Sequence, residues 1–334
     1  MLRQSLPLLA AISLPLVANA TDNNTLTVYT HPSFAADWGP GPGVKEAFEQ
    51  QCGCSLDYVV LESGGDILQR LRLEGQSTDA DVVLGLDTGT METARQTGLL
   101  APHDIKLDAL DLPVDWQDSL FVPYDWGYFA FVYDTEELPD PPKSLEELVN
   151  APNDLQVIIQ DPRTSTPGLG LLLWMKAVYG DRAGEKWQAL SDNILTTTKS
   201  WSDGYFSLFM NGEAPMILSY STSPAYHMAI DKTDRYQAAE FEEGHYLQVE
   251  VAAMVEPSDQ KDLAGEFLRF ILTPDFQRHI PLKNVMYPAI DLGDELPDVF
   301  ARLIQPDATL FIDPARVAER RKAWLDEWLN AMIP

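Results

Sequence analysis

The sequence predicts an α/β protein built as two lobes, and three observations carry that expectation. β-branched and apolar runs alternate with helical ones through the first ninety positions. The chain, at 334 residues, exceeds what one hydrophobic core usually organises. Two long extended segments bracket its middle, as crossovers between lobes would.

Residues 1–20 read as a cleaved export leader. Arg3 supplies the positive start, Leu6 to Val17 the apolar stretch, and Ala18-Asn19-Ala20 a small-x-small cleavage site, so the mature chain should begin at Thr21. Ser13 and two prolines interrupt an apolar run already shorter than the roughly 20 residues a membrane span needs. Periplasmic localisation is expected. No later segment is long and apolar enough for membrane insertion.

Leu26 to Thr30 alternates like a first strand, and His31 to Gly43, rich in Pro and Gly, reads as a loop. A helix follows from Val44 to Gln51, a strand from Leu56 to Leu61, and a helix from Asp66 to Glu74 with Ile67, Leu68 and Leu71 on one face. Ala80 to Leu86 is a buried strand ending at Asp87. This alternation implies a largely parallel sheet with ligands at the C-terminal strand ends. Phe121 to Asp134 and His245 to Val255 are the two bracketing segments. Between them lie strands at Leu155–Gln160 and Met216–Ser219 and a helix from Pro167. Beyond Gln260 the chain is mostly helical, including Leu263–Leu272 and Pro314–Met332.

The formal charge of −28, from 51 acidic and 23 basic residues, excludes nucleic acid and an anionic membrane surface as partners. It is compatible with a cationic ligand, although a solubilising acidic surface explains most of it. Cys52 and Cys54 could form a small disulfide loop or stay reduced; both remain open. The five histidines show no metal-ligand spacing, and neither a nucleophile elbow nor a phosphate-binding P-loop occurs. Glu62, Asp66, Asp87 and Asp125 are scattered and could cap helices or balance a cation.

Two stretches could recognise a ligand. In Asp161 to Gly170, Thr166 is a candidate N-cap and Pro167 suits the first helical position, so the helix end with Ser165 and Thr166 makes an anion site. Leu218 to His227 starts at a strand end and combines the hydroxyls of Ser221, Thr222 and Ser223 with Tyr220 and Tyr226. Trp201 lies in another polar loop of the same lobe. Aromatics on such loops suit stacking against a flat or cationic ring.

These segments resemble the periplasmic thiamine-binding proteins of thiamine ABC transporters through nearly the whole mature chain. The specific landmarks are DPRTSTPGLGLLLW (161–174) and GHYLQVEVA (244–252), supported by SFAADWGPGP (33–42). The resemblance implies a type II periplasmic-binding fold with a two-strand hinge and C-terminal helices. Its first lobe would run over 21–122, its second over 123–249, and 250–334 would return to the first lobe and close with the helices. It implies a monomer that binds thiamine, thiamine monophosphate or thiamine diphosphate in the cleft and delivers it to a permease, with no cofactor and no catalysis. Carried over position by position, Glu62, Ser63 and Gly64 fall on a ligand loop and Ser165 and Thr166 on phosphate-side hydroxyls. Trp201 falls on a cleft aromatic, and Tyr220 to Ser223 with Tyr226 on the ring-binding loop. Three positions depart from the family pattern: Ser63 stands for an aspartate, His31 for a tyrosine and Val285 for a tryptophan. A ferric-ion or polyamine receptor of the same fold, and a thiamine-degrading enzyme with a cysteine nucleophile, are the competing readings.

Overall fold

The computed structural model describes residues 24–332, so the leader expected at 1–20 lies outside them. Eight main strands order the chain: β1 (Thr25–Thr30), β2 (Ser55–Val60), β3 (Val82–Asp87), β4 (Val122–Asp134), β5 (Val157–Gln160), β6 (Ile194–Thr198), β7 (Met216–Tyr220) and β8 (His245–Val255). They form one continuous curled sheet in the order β2-β1-β3-β8-β4-β7-β5-β6. Pairing is parallel among β1, β2 and β3 and among β5, β6 and β7. Among these eight strands it turns antiparallel wherever β4 or β8 takes part. The expected parallel sheet therefore holds inside each lobe and breaks at the two crossovers. Each long strand leaves one lobe and enters the other, which fixes its direction against both sets of neighbours.

Helices cover the sheet. In the first lobe α1 (Gly41–Cys52) starts within the expected loop, because Pro42 suits an opening helical turn. It ends at Gly53, whose φ of 64° supplies the left-handed C-cap. A disulfide joins Cys52 to Cys54 around that glycine. α2 (Gly64–Glu74) is capped by Ser63, whose hydroxyl accepts from the Asp66 N–H. In the second lobe α3 (Thr166–Tyr179) is buried over most of its length, from Pro167 to Lys176, so it reads as uniformly apolar rather than amphipathic. A side chain at Gly170 would lie 2.1 Å from the Phe129 ring, so this glycine lets β4 close onto the helix. α4 (Ala183–Ser191) follows it.

The chain beyond residue 250 divides between the lobes. α5 (Lys261–Ile271) sends Phe267 and Phe270 into the first lobe's core, against Phe48 and Phe276. α6 (Pro314–Met332) instead packs Val317, Trp324 and Trp328 into the second lobe's core beside Trp187. It also touches the first lobe at Met91–Arg95. Truncating Trp328 to alanine should cost about 3–5 kcal/mol of stability, as for other buried tryptophans. Urea unfolding would show it, with the loss in second-lobe cooperativity.

β8 starts at a buried histidine with a fixed tautomer. His245 Nδ1–H donates to the Phe129 carbonyl at 2.8 Å, and Nε2 accepts from the Phe241 N–H at 2.9 Å. Burial pushes the imidazole down to about 4. Its folded value lies below its unfolded one, so the unfolded chain takes the proton first as pH falls. Stability from this residue is complete above pH 6.5 and is lost progressively toward pH 4, by about 3 kcal/mol at about 1.4 kcal/mol per pH unit. NMR titration of the ring should show His245 neutral throughout pH 5–8.

Candidate ligand-binding site

The lobes meet where strands end. Asp87 closes β3, Ser165 and Thr166 open α3, and the Asp87 carboxylate takes hydrogen bonds from the Thr90 and Thr166 hydroxyls. A side chain at Gly89 would come 2.9 Å from Leu169, so this first-lobe turn lies directly on α3. The anion site expected at the helix start is therefore faced by a carboxylate across the cleft. Arg321 of α6, half-buried, contributes a favourable charge to Asp87.

The expected aromatic and hydroxyl residues partly converge. Trp201 Nε1 donates to Ser219 Oγ at 2.8 Å, and Ser219 and Ser223 hydroxyls lie 2.8 Å apart. Ser223 Oγ also accepts from the Tyr220 N–H. Trp201 is not in a loop: it begins a helical turn that continues as a π-helix over Asp203–Leu208 and stacks on Tyr205 at 4.9 Å, four residues on. Ser221 and Thr222 are fully buried, and Thr222 reaches the Met286 sulfur. Ser63 and Gly64 sit against β3, since a side chain at Gly64 would meet the Gly85 carbonyl at 2.4 Å. Ser63 spends its hydroxyl on Asp66, its own helix cap. Glu62 is exposed, and Tyr226 is 38% exposed with its ring against His227. The structure does not bring these two into the cluster.

Tertiary structure adds a feature the linear sequence hides. Glu250 on β8 pairs in register with Asp87 on one side and with Asp125 on the other. Residues directly opposite across strands share a face, so three carboxyls stand in a row across the sheet where the lobes join. All three are buried, Asp125 completely. Tyr124 donates to Glu250 Oε2 at 2.7 Å, Gln248 Nε2 donates to Oε1 at 3.1 Å, and Asn284 donates to Asp125 Oδ2 at 2.5 Å. Burial first, then the neighbouring Glu250 charge, pushes the Asp125 carboxyl well above its ordinary range. Asp87 is raised too, again chiefly by burial. His31 closes the row, its Nε2 3.5 Å from the Tyr124 hydroxyl and 4.0 Å from Glu250, and burial lowers its pKa despite those carboxylates. Asp87 and Asp125 are thus aligned rather than scattered. Glu250 carried no signal of its own, because only the pairing register reveals it.

The whole chain has close relatives. Residues 44–280 match the family model for bacterial extracellular solute-binding proteins. The thiamine-binding periplasmic protein of Escherichia coli K12 is 52% identical over 332 residues, 99% of each chain. A solved periplasmic thiamin binding protein superposes with a TM-score of 0.90 at 53% identity, covering 93% of this chain and 96% of the other. The chain belongs to this solute-binding family. Iron-bound HitA from Pseudomonas aeruginosa, at 18% identity and a TM-score of 0.75 over 92% and 99% of the two chains, shares the two-lobed fold.

Three features bear on the competing readings for this solute-binding protein. Among the described residues no group of three or more His, Cys, Asp or Glu is placed to hold a metal ion. Tyr220 and Tyr226 do not pair. Both cysteines are tied to each other at the end of α1, so neither is a free thiol.

His31 depends on a missing side chain. Gly85 adopts φ 115°, and a Cβ there would fall 2.4 Å from the His31 ring. Gly85→Ala should therefore destabilise the protein by about 1–3 kcal/mol, combining backbone strain with displacement of His31. A thermal or urea melt measures the first effect, and loss of the native His31 NMR signals the second.

Proposed function

We propose that this protein is the periplasmic receptor of an ABC importer, taking thiamine or its mono- and diphosphate esters into the interlobe cleft and presenting the closed form to a permease. The observation that carries the reading is end-to-end identity of 52% with a thiamine-binding periplasmic protein, without a missing lobe on either side. The geometry agrees with it. A flat heteroaromatic ring finds Tyr220 and Trp201 in one hydroxyl-lined cluster, and a cationic ring finds carboxyls where the lobes join. In this reading Ser165 and Thr166 at the start of α3 meet the phosphate when one is present.

The working cycle follows from the two crossover strands. Ligand enters between separated lobes, β4 and β8 flex, and Asp87 comes onto Thr166 as the mouth shuts. Water exclusion then strengthens each polar contact. The leader at 1–20 exports the chain, which acts as a monomer without a cofactor and releases its ligand chemically unchanged.

Calorimetric titration of refolded, ligand-free protein with thiamine and with each phosphate ester tests the assignment. One-to-one binding is expected, with Tyr220→Ala and Trp201→Ala each weakening it at least tenfold, the equivalent of about 1.4 kcal/mol. Absence of heat and of any tryptophan fluorescence change with all three compounds overturns the thiamine reading.

A further inference from the structure

We propose that the in-register carboxyls of Asp125 and Glu250, together with the Gln248 amide, form the subsite that recognises the ligand's positive charge. The proposal rests on the thiamine reading and names which residues of the cleft hold the cationic ring system.

Four observations lead there. First, Asp125 and Glu250 sit opposite each other on β4 and β8, the strands that join the lobes, with Asp87 extending the row. Second, no lysine or arginine among the described residues is ion-paired with either carboxyl. Tyr124, Gln248 and Asn284 are neutral donors, and the titratable groups facing the pair are His31, Tyr124, Tyr220 and Asp87, with Arg321 beyond Asp87. Third, two buried polar atoms here lack partners: Asp125 Oδ1 and Gln248 Oε1. Gln248 is 2% exposed, and its amide is held in the cluster by the bond to Glu250, so its oxygen is an acceptor already placed for a donor from outside the chain. Fourth, a β-bulge immediately follows Glu250, the kind of irregularity that re-aims side chains beside binding sites.

Burial and the neighbouring Glu250 push the Asp125 carboxyl well above its ordinary range, so the ligand-free site retains a proton there. A cation arriving between the lobes favours the carboxylate form and drives that proton off. Ser63 spends its hydroxyl on its own helix cap, whereas the buried carboxyls that can meet the cation stand in register on β4 and β8. Affinity for a cationic ligand should consequently rise with pH as Asp125 deprotonates, and binding should release protons.

The test uses full-length mature protein, ligand-free, as wild type, Asp125→Asn and Glu250→Gln. Each is titrated with thiamine between pH 6 and 9 in two buffers of different ionisation heat. The uncharged oxidised derivative thiochrome serves as a second probe. Wild type should bind more tightly as pH rises and release protons to buffer. Each amide variant should lose at least tenfold in thiamine affinity, lose the proton release, and bind thiochrome no more weakly than wild type does. Circular dichroism and melting temperature establish that the variants fold. If neither does, the wild-type pH series decides alone: pH-independent affinity without proton release overturns the subsite. Variants within twofold of wild type for thiamine overturn it as well, while leaving the receptor reading intact. Failure of wild type itself to bind thiamine overturns both.

Discussion

β4 and β8 belong to both lobes at once, and their antiparallel pairing constrains everything else in the molecule. One end of each strand pairs inside the first lobe and the other end reaches the second, so the two cores cannot be placed independently. The same pairing sets Glu250 between Asp87 and Asp125. A slip of one residue in β8 would turn Glu250 to the opposite face and break the row. The hinge and the row of acidic side chains are therefore one structural decision.

The supporting packing explains how such a row is tolerated. Burying carboxyls without partners is costly, and the fold meets that cost with neutral donors from several segments: Tyr124 from β4 itself, Gln248 from β8 and Asn284 from the stretch after α5. Val285, next to Asn284, adopts φ 55°, an unfavourable region for a β-branched residue. Strain of that sort persists where surrounding contacts over-determine the backbone, and here the neighbours on either side reach Asp125 and Thr222.

The C-terminal helix shows a second division of labour. Trp324 and Trp328 complete the second lobe's core although the preceding helical segment completes the first. Arg321 on the same helix lies near Asp87, so a chain end that sequence order alone would assign to one lobe touches the cleft from the other.

The sequence by itself determined the α/β alternation, the two crossover segments and most element positions, because hydrophobic periodicity and turn residues are local signals. It also carried the family, through long unbroken stretches such as 161–174 and 244–252. Capping was legible in type but not always in role: Ser63 reads as a ligand-loop residue and serves as an N-cap, while Glu62 and Tyr226 stay exposed. What only the tertiary structure decided is register and proximity. Asp87, Asp125 and Glu250 are 38 and 125 positions apart along the chain, and nothing local distinguishes them from other acids. They become a single charged row because a parallel lobe and two antiparallel crossovers bring three strands side by side, and cross-strand pairing is a property of the sheet that no single segment contains.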